Sequence, residues 1–510
     1  MRLLSLSILL LAAPSVEVAA YTLDQVEAQF SSYLQLAENG LLSTRGQLPF
    51  GCTPACGFLE FALPSQISYP NSTTYSLKES TYWSQQQALT EPTCRFSPES
   101  ALDVSFAVLT LQVAQCEFAV KSGGMTIDLA NLNEITVRSD RAQTAVGAGN
   151  VWYDVYTTLQ PMGLTVIGGR VSAIGVGGLT LGGGISFFSG RYGWACDNVN
   201  NYEVVLADGS IQEVSFSSPY SDLYWALRGG GNNFGIVTRF DLMTFPQGDL
   251  WAGSETFIYT PETAAAINDA FYFLGVNAPS DPYAQVITAY AYAQSVDAYI
   301  IASDLQYGKP VANPPILQNF TAVQGAIAST LRIVDQANLT IEFNDTNPGG
   351  FRQTYWTLMV GNNATLMADM VAIYMDEIEP LKSVAGLVPS LVFQPITTDM
   401  ILHFSKNGGN ALGLDNQGPL NLVQIDISWS DIADDDRILT AAQNILDGCQ
   451  AAASAVGLLN KYLYQNYASV GQGVFSGYGQ NNLARLKAVS AKYDPAQVFQ
   501  KLQPGYFKLN

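Results

Sequence analysis

The 510-residue chain is poor in charge and almost devoid of histidine: Asp, Glu, Lys and Arg make up 13% of it, and His403 is its one imidazole. A single imidazole excludes metal sites built from several histidines. The absence of a G-x-S-x-G match leaves Ser-His-Asp hydrolysis without support in the sequence. Basic residues are scarce, 23 Lys and Arg against 43 Asp and Glu, so the formal charge of −20 repels phosphate backbones and anionic membrane surfaces. Nucleic acid and membrane are therefore not expected partners. Beyond the N-terminus no stretch reaches the roughly 18 to 20 uninterrupted apolar residues that cross a bilayer, and the glycine-rich run 171–188 comes nearest. Neither G-x-G-x-x-G nor G-x-x-x-x-G-K-[ST] occurs, which excludes a Rossmann fingerprint and a P-loop. No internal repeat is found.

Apolar residues make up 48% of the chain, enough for a large core, and the length predicts two to four domains. Arg2, the apolar run Leu3 to Ala13 and the small residues Val18, Ala19 and Ala20 read as a signal peptide cleaved before Tyr21. Cleavage removes Arg2 and Glu17 together and leaves the charge at −20. The expected product is soluble and secreted. Six cysteines (Cys52, Cys56, Cys94, Cys116, Cys196 and Cys449) are too few for a disulfide-built scaffold, but Cys52 or Cys56 could bridge to Cys116. Asn71, Asn319, Asn338, Asn344 and Asn363 open N-x-S/T triplets and are candidate glycan sites.

Between Phe118 and Phe245 short β runs alternate with glycine and with helical stretches at Val151 to Met162 and Ser221 to Leu227, the pattern of an α+β domain. Residues 203–214 read as a hairpin closed by a two-residue Asp208-Gly209 loop with positive backbone dihedrals. From Leu250 to about Leu459 the spacing predicts longer helices (Pro261 to Leu274, Ala364 to Leu381, Arg437 to Val456) and separate strands (Ala284 to Tyr292, Leu422 to Trp429), hence a second domain with its own sheet. The tail, Gln480 to Lys508, returns to a charged helix ended by Pro495 and is expected to pack on the first domain.

Four glycine clusters fall in that first domain: 121–124, 147–149, 174–184 and 228–238. Glycine lets backbone approach a ligand and expose successive N–H groups, which suits a nucleotide pyrophosphate; tight turns and bulges in a compact sheet are the other reading. The segments FAVKSGG, IDLANLNEI, TAVGAGNVWYDVY, GLTVIGG, IGVGGLTLGGGISFFSGRYGWACDNV, EVVLADG, DLYWALRGGGNNFGIVTRF, YLYQNY and RLKAVSAKYDPAQVF together resemble secreted FAD-linked oxidoreductases of the berberine bridge enzyme-like, vanillyl-alcohol oxidase type, most closely the fungal ones. The resemblance runs from about Pro92 to Phe499. It implies a two-subdomain PCMH-type α+β FAD-binding domain and a substrate domain whose antiparallel sheet is covered by helices. The expected boundaries are a signal peptide 1–20, an FAD-binding domain 21–245 (its PCMH-type core about 88–245), a substrate domain 246–460, and a return to the FAD-binding domain over 461–510.

On this resemblance Ser122, Gly123 and Gly124 wrap the FAD pyrophosphate with help from Gly177, Gly178, Gly182 and Gly183, while Gly235, Ile236 and Val237 enter a strand beside the adenine. The family's usual histidyl link to flavin follows the Gly-Gly pair, but Met125 stands there and the following loop is missing. The second covalent anchor, a cysteine, would fall at Val171. FAD is therefore expected to bind noncovalently, in a noncovalent member of the family or in a chain that lacks a coding segment. Tyr464 and Tyr467 of YQNY lie along the flavin edge in the family and are the catalytic candidates, with Tyr464 the expected base and a core aromatic the alternative. A tyrosine, which titrates near about pH 10, needs a positive charge or hydrogen bond to act as base. Alternation on 422–429 places Gln424, Asp426 and Ser428 on one face as substrate-pocket candidates or, equally, as an exposed sheet face. His403 reads as a structural histidine, Trp225 and Arg228 as packing and turn residues, and Ile174 as the position where side-chain bulk tunes dioxygen access. The expected activity is hydride transfer from an alcohol or related secondary metabolite to flavin, with dioxygen as a candidate acceptor. Carbohydrate oxidation and a flavin-free relative are the alternatives.

Overall fold

A computed structural model describes residues 20–39, 50–121, 125–415 and 417–509. The alternation expected at 422–429 extends through a nine-stranded antiparallel sheet in the order Ala326–Ser329, Leu250–Ile258, Ala298–Tyr307, Ala284–Ala293, Val388–Ile396, Leu420–Trp429, Arg352–Gly361, Leu459–Asn460. The ninth strand, Arg332–Val334, also pairs with Leu250–Ile258. One face is apolar: Val423, Ile425 and Ile427 are fully buried with Leu391, Phe393 and Tyr290 in one core. Helices Pro261–Asn277, Ala364–Ile378 and Asp435–Ala455 supply that core's other half. The first two start where the sequence places an N-cap: the side chains of Thr260 and Asn363 accept from the N–H groups of Thr263 and Leu366. The polar face turns the other way, and Leu422 on it packs into a second core with Trp194, Tyr464 and Ile396.

Two further sheets come from the first half of the chain. A six-stranded antiparallel sheet runs Ile135–Val137, Gln143–Gly147, Ile236–Pro246, Val199–Val205, Ile211–Ser215, with Leu164–Val166 also on Ile236–Pro246. A small sheet joins Ile67–Ser68, Arg95–Phe96, Met125–Ile127 and Phe118–Val120. The N-terminal layer is tied by disulfides Cys52–Cys116 and Cys56–Cys94, while Cys196 and Cys449 are buried thiols. The 203–214 hairpin forms, but its loop is longer than the expected two residues: Val205 pairs with Ile211, Leu206 N–H donates to Ser210 O, and Gly209 N–H to Leu206 O. Only Gly209 has positive φ (81°) there. Its Cα lies against Leu109, where a side chain would collide, so close helix packing as well as turn geometry selects glycine.

Arg228 and Asp197 form a fully buried ion pair at 3.0 Å. The guanidinium also donates to the carbonyls of Cys196, Lys406 and Gly409, and Asp197 accepts from Trp194 N–H and Asn410 Nδ2. It thereby fastens the 403–410 segment to the 194–198 turn, and the expected packing role of Arg228 is met by a charge network. His403 sits in this structural segment, against Gly193. Replacing one partner leaves the other charge buried and unpaired. Asp197→Asn is expected to lower unfolding free energy in urea by about 3–5 kcal/mol, and a change too small to measure would contradict this role.

Candidate functional site

The C-terminal segment at 464–467 packs against the glycine run at 179–185, and Tyr464 makes the most buried of its hydrogen bonds there. Tyr464 is buried, and its hydroxyl accepts the N–H groups of Gly184 and Ile185, each at 3.2 Å, and Asn466 Nδ2 at 3.0 Å. Burial raises its pKa. Its ring meets Trp194 edge-on at 5.1 Å and Tyr467 edge-on at 4.9 Å. The next turn holds Asn466, whose Nδ2 donates to Leu179 O and whose Oδ1 accepts from Tyr506.

The glycines of 174–184 divide into two groups. A Cβ on Gly182 would collide with Asn466 Oδ1, and one on Gly183 (φ 120°) would lie 2.8 Å from the Trp194 ring. These two admit the tail and the aromatic packing. Gly175 and Gly178 have nothing within 4 Å of an added Cβ, and Gly177 has only Ala148 O at 3.9 Å. Gly175 caps the short helix Val176–Leu181, and Gly177 and Gly178 lie in its first turn; the space over these glycines is open, which leaves room for a pyrophosphate. Exposed Ile174 stands beside it. Gly235 is confined by Val204 and by Val205 O, and Ile236 and Val237 are buried in the N-terminal and central cores respectively. All three pack within the sheet. Ser122, Gly123 and Gly124 lie outside the described residues. Met125 is fully buried in the strand Met125–Ile127, inside the N-terminal core.

Tyr467 is half-buried, and its hydroxyl accepts a hydrogen bond from Arg170 at 2.9 Å. The same guanidinium nitrogen donates to Gln394 Oε1 at 2.6 Å. Arg170 ends the 163–169 run and Gln394 lies on the polar face of the large sheet, so this triad joins the two halves. The sequence reading missed both residues; alternation along Val388–Ile396 places Ser390, Val392 and Gln394 on one face and could have found the second. Gln424 is buried opposite Thr357, and Asp426 is half-buried opposite Tyr355. Burial pushes Asp426 up to about 8, against the lowering effect of a Tyr355 hydrogen bond. Asp304 is on the same face (Asp304 pairs with Ile287, two residues before Ala289, which pairs with Val392) and is pushed up to about 6 by burial. The structure thus gathers Tyr464, Tyr467, Gly182 and Gly183 at one junction and sets Asp426 beside it through Tyr355, whose ring is 6.3 Å from that of Tyr467. Gln424 shares the face of Asp426. Among the described residues no group of three or more His, Cys, Asp or Glu could hold a metal ion.

Residues 105–215 match the model of an FAD binding domain. The chain is 36% identical to an FAD-dependent monooxygenase of Cochliobolus heterostrophus (tpcD), over 90% of this chain and 94% of that protein. It is also 36% identical to an FAD-dependent monooxygenase of Fusarium proliferatum (FUP4), over 84% of this chain and 87% of that one. Among solved structures, 6-hydroxy-D-nicotine oxidase of Arthrobacter nicotinovorans superposes with a TM-score of 0.72 at 18% identity, covering 87% of this chain and 97% of that one. The glucooligosaccharide oxidase of Acremonium strictum superposes with a TM-score of 0.69 at 20% identity, covering 89% and 100%. With relatives of that identity along nearly its whole length and an FAD binding domain matched at 105–215, the chain belongs to the family of FAD-linked oxidoreductases that includes these fungal FAD-dependent monooxygenases.

Proposed function

We propose that the protein oxidises a hydroxyl-bearing secondary metabolite, with Tyr467 taking the proton of the substrate hydroxyl. FAD, when bound, supplies the acceptor for the substrate hydride. The observation that carries this reading is the Arg170 bond to the Tyr467 hydroxyl, which holds the phenol oxygen in one orientation beside a fixed positive charge. Gln394 fixes the guanidinium from the opposite sheet. Tyr464 is less suited, because its oxygen already accepts three donors in a buried site that disfavours its charged form. Here it serves as the pin, and the catalytic role belongs to its neighbour. Relatives named FAD-dependent monooxygenases support dioxygen as the co-substrate.

The same proposal includes noncovalent FAD, wrapped by 122–124 and the open turn at Gly177 and Gly178. It is supported by the burial of Met125 and by the connection around it. Phe118–Val120 and Met125–Ile127 pair in parallel although residues 121–124 alone join them. Parallel neighbours ordinarily need a crossover of about a dozen residues or more. Such a short link fits the loss of a segment that carries the covalent anchor in relatives of this type. Export after cleavage before Tyr21 belongs to the proposal as well, with glycans at exposed Asn71, Asn319 and Asn338.

Acid precipitation of purified protein should leave flavin absorption, at about 375 and 450 nm, in the supernatant. A yellow pellet would mean covalent flavin. In anaerobic mixing of the holoenzyme with a panel of benzylic and allylic alcohols, at least one should bleach the flavin. Tyr467→Phe should slow that reduction by about 10²–10⁴-fold with FAD affinity retained. A wild-type flavin that no alcohol reduces, or a Tyr467→Phe enzyme at full rate, would contradict the assignment.

A further inference from the structure

We infer that Asp426, seated beside Tyr355, is the specificity residue that recognises a carbonyl-type acceptor oxygen on a planar aromatic substrate. This deepens the proposed function and rests on it. The geometry has two parts. The first is an aromatic wall: Trp83 lies 5.4 Å from Tyr355, Tyr355 lies 6.3 Å edge-on from Tyr467, and Tyr467 lies 4.9 Å edge-on from Tyr464. Each ring touches the next at these spacings, so together they present one continuous aromatic surface. The wall is held rigidly, since Trp83 Nε1 donates to Asn347 O and the neighbouring Gln86 exchanges two hydrogen bonds with the backbone of Gln353.

The second part is the carboxyl group in that wall. Asp426 pairs in register with Tyr355 on one side and Ser390 on the other. Its Oδ1 is buried and has no hydrogen-bond partner in the protein. A buried polar atom left unpaired costs about 1–3 kcal/mol, so it marks a place where a ligand atom completes the bonding. The group acting on it is the Tyr355 hydroxyl from the adjoining strand; Tyr467, behind Tyr355 on the tail, acts on that tyrosine, and Asp426 in turn helps raise the pKa of Tyr374 on the helix beneath the sheet. The Tyr355 hydroxyl favours the ionised form of Asp426. Burial outweighs it and pushes the carboxyl up to about 8. Near neutral pH the group therefore holds a proton and donates, and above pH 8 it becomes an acceptor that repels a carbonyl oxygen.

The test is binding of acetophenone, and of ethylbenzene as the isostere without the oxygen, to the oxidised holoenzyme, read as a perturbation of the flavin's visible absorption. Wild-type affinity for acetophenone should fall about tenfold between pH 7 and pH 9, following loss of the carboxyl proton, while ethylbenzene affinity stays flat. Asp426→Asn should retain acetophenone binding at pH 7 and lose the pH dependence, because an amide donates without titrating. Asp426→Leu should lose the preference for acetophenone over ethylbenzene. Melting temperature and FAD content establish that both variants are folded. A flat wild-type profile, a Leu variant that keeps the preference, or the absence of any binding by both probes overturns the inference. Binding to oxidised enzyme requires no turnover, so a failure of alcohol oxidation would overturn the proposed function and leave these affinities to decide the role of Asp426.

Discussion

The structure depends on a close approach between two backbones far apart in sequence. The tail at 464–467 sits against the glycine run at 182–185, and it can do so only because Gly182 and Gly183 have no side chains to occupy the places taken by Asn466 and Trp194. The Tyr464 hydroxyl closes the junction by satisfying two buried N–H groups that have no strand or helix to pair with. Once the tail is seated, the position of Tyr467 follows, three residues and one 3-10 turn on. Its hydroxyl then meets Arg170, and through Arg170 it meets Gln394 on the large sheet. A flavoenzyme base must be fixed to within fractions of an ångström of its substrate, and the Tyr464 hydrogen bonds fix the backbone that carries Tyr467.

The large sheet contributes in the same spirit, with two faces given different tasks by simple alternation. Val423, Ile425 and Ile427 hold the sheet to its helices, which leaves Gln424 and Asp426 free to face the tail. Around the sheet, the segment at Trp83 to Gln86 is hydrogen-bonded to Asn347 and to the start of Arg352–Gly361, and the buried Arg228–Asp197 pair holds the 403–410 segment. Asp304 and Asp426 in this sheet are pushed above the ordinary carboxylate range by burial, which outweighs the lowering effect of Arg170 on Asp304 and of the Tyr355 hydroxyl on Asp426.

Much of this was legible in the sequence. Period-two alternation located the Ala284–Ala293 and Leu420–Trp429 strands to within a few residues, and the helix Ser221–Leu227 lies where the pattern put it. Apolar stripes report burial directly, so such elements survive into the fold. The glycine clusters announced themselves by composition but not by use. Only the geometry separates Gly182 and Gly183, which admit packing, from Gly177 and Gly178, which stay open. Arg170 was not legible, because its partner Tyr467 is 297 residues away and nothing local marks the contact. The Asp208-Gly209 loop was read from turn chemistry alone and came out too short: the strands stop pairing at Val205 and Ile211, and the loop closes through the Leu206–Ser210 bond.

The central claim is a division of labour between two tyrosines, one that positions and one that reacts. Tyr464→Phe tests it most directly when unfolding free energy and the anaerobic flavin-reduction rate are measured on the same preparation. Removing the hydroxyl leaves the Gly184 and Ile185 N–H groups buried without an acceptor, so stability should fall by about 1–3 kcal/mol, with a rate loss well below that of Tyr467→Phe. Unchanged stability together with a rate loss as large as that of Tyr467→Phe would make Tyr464 the base and contradict the account.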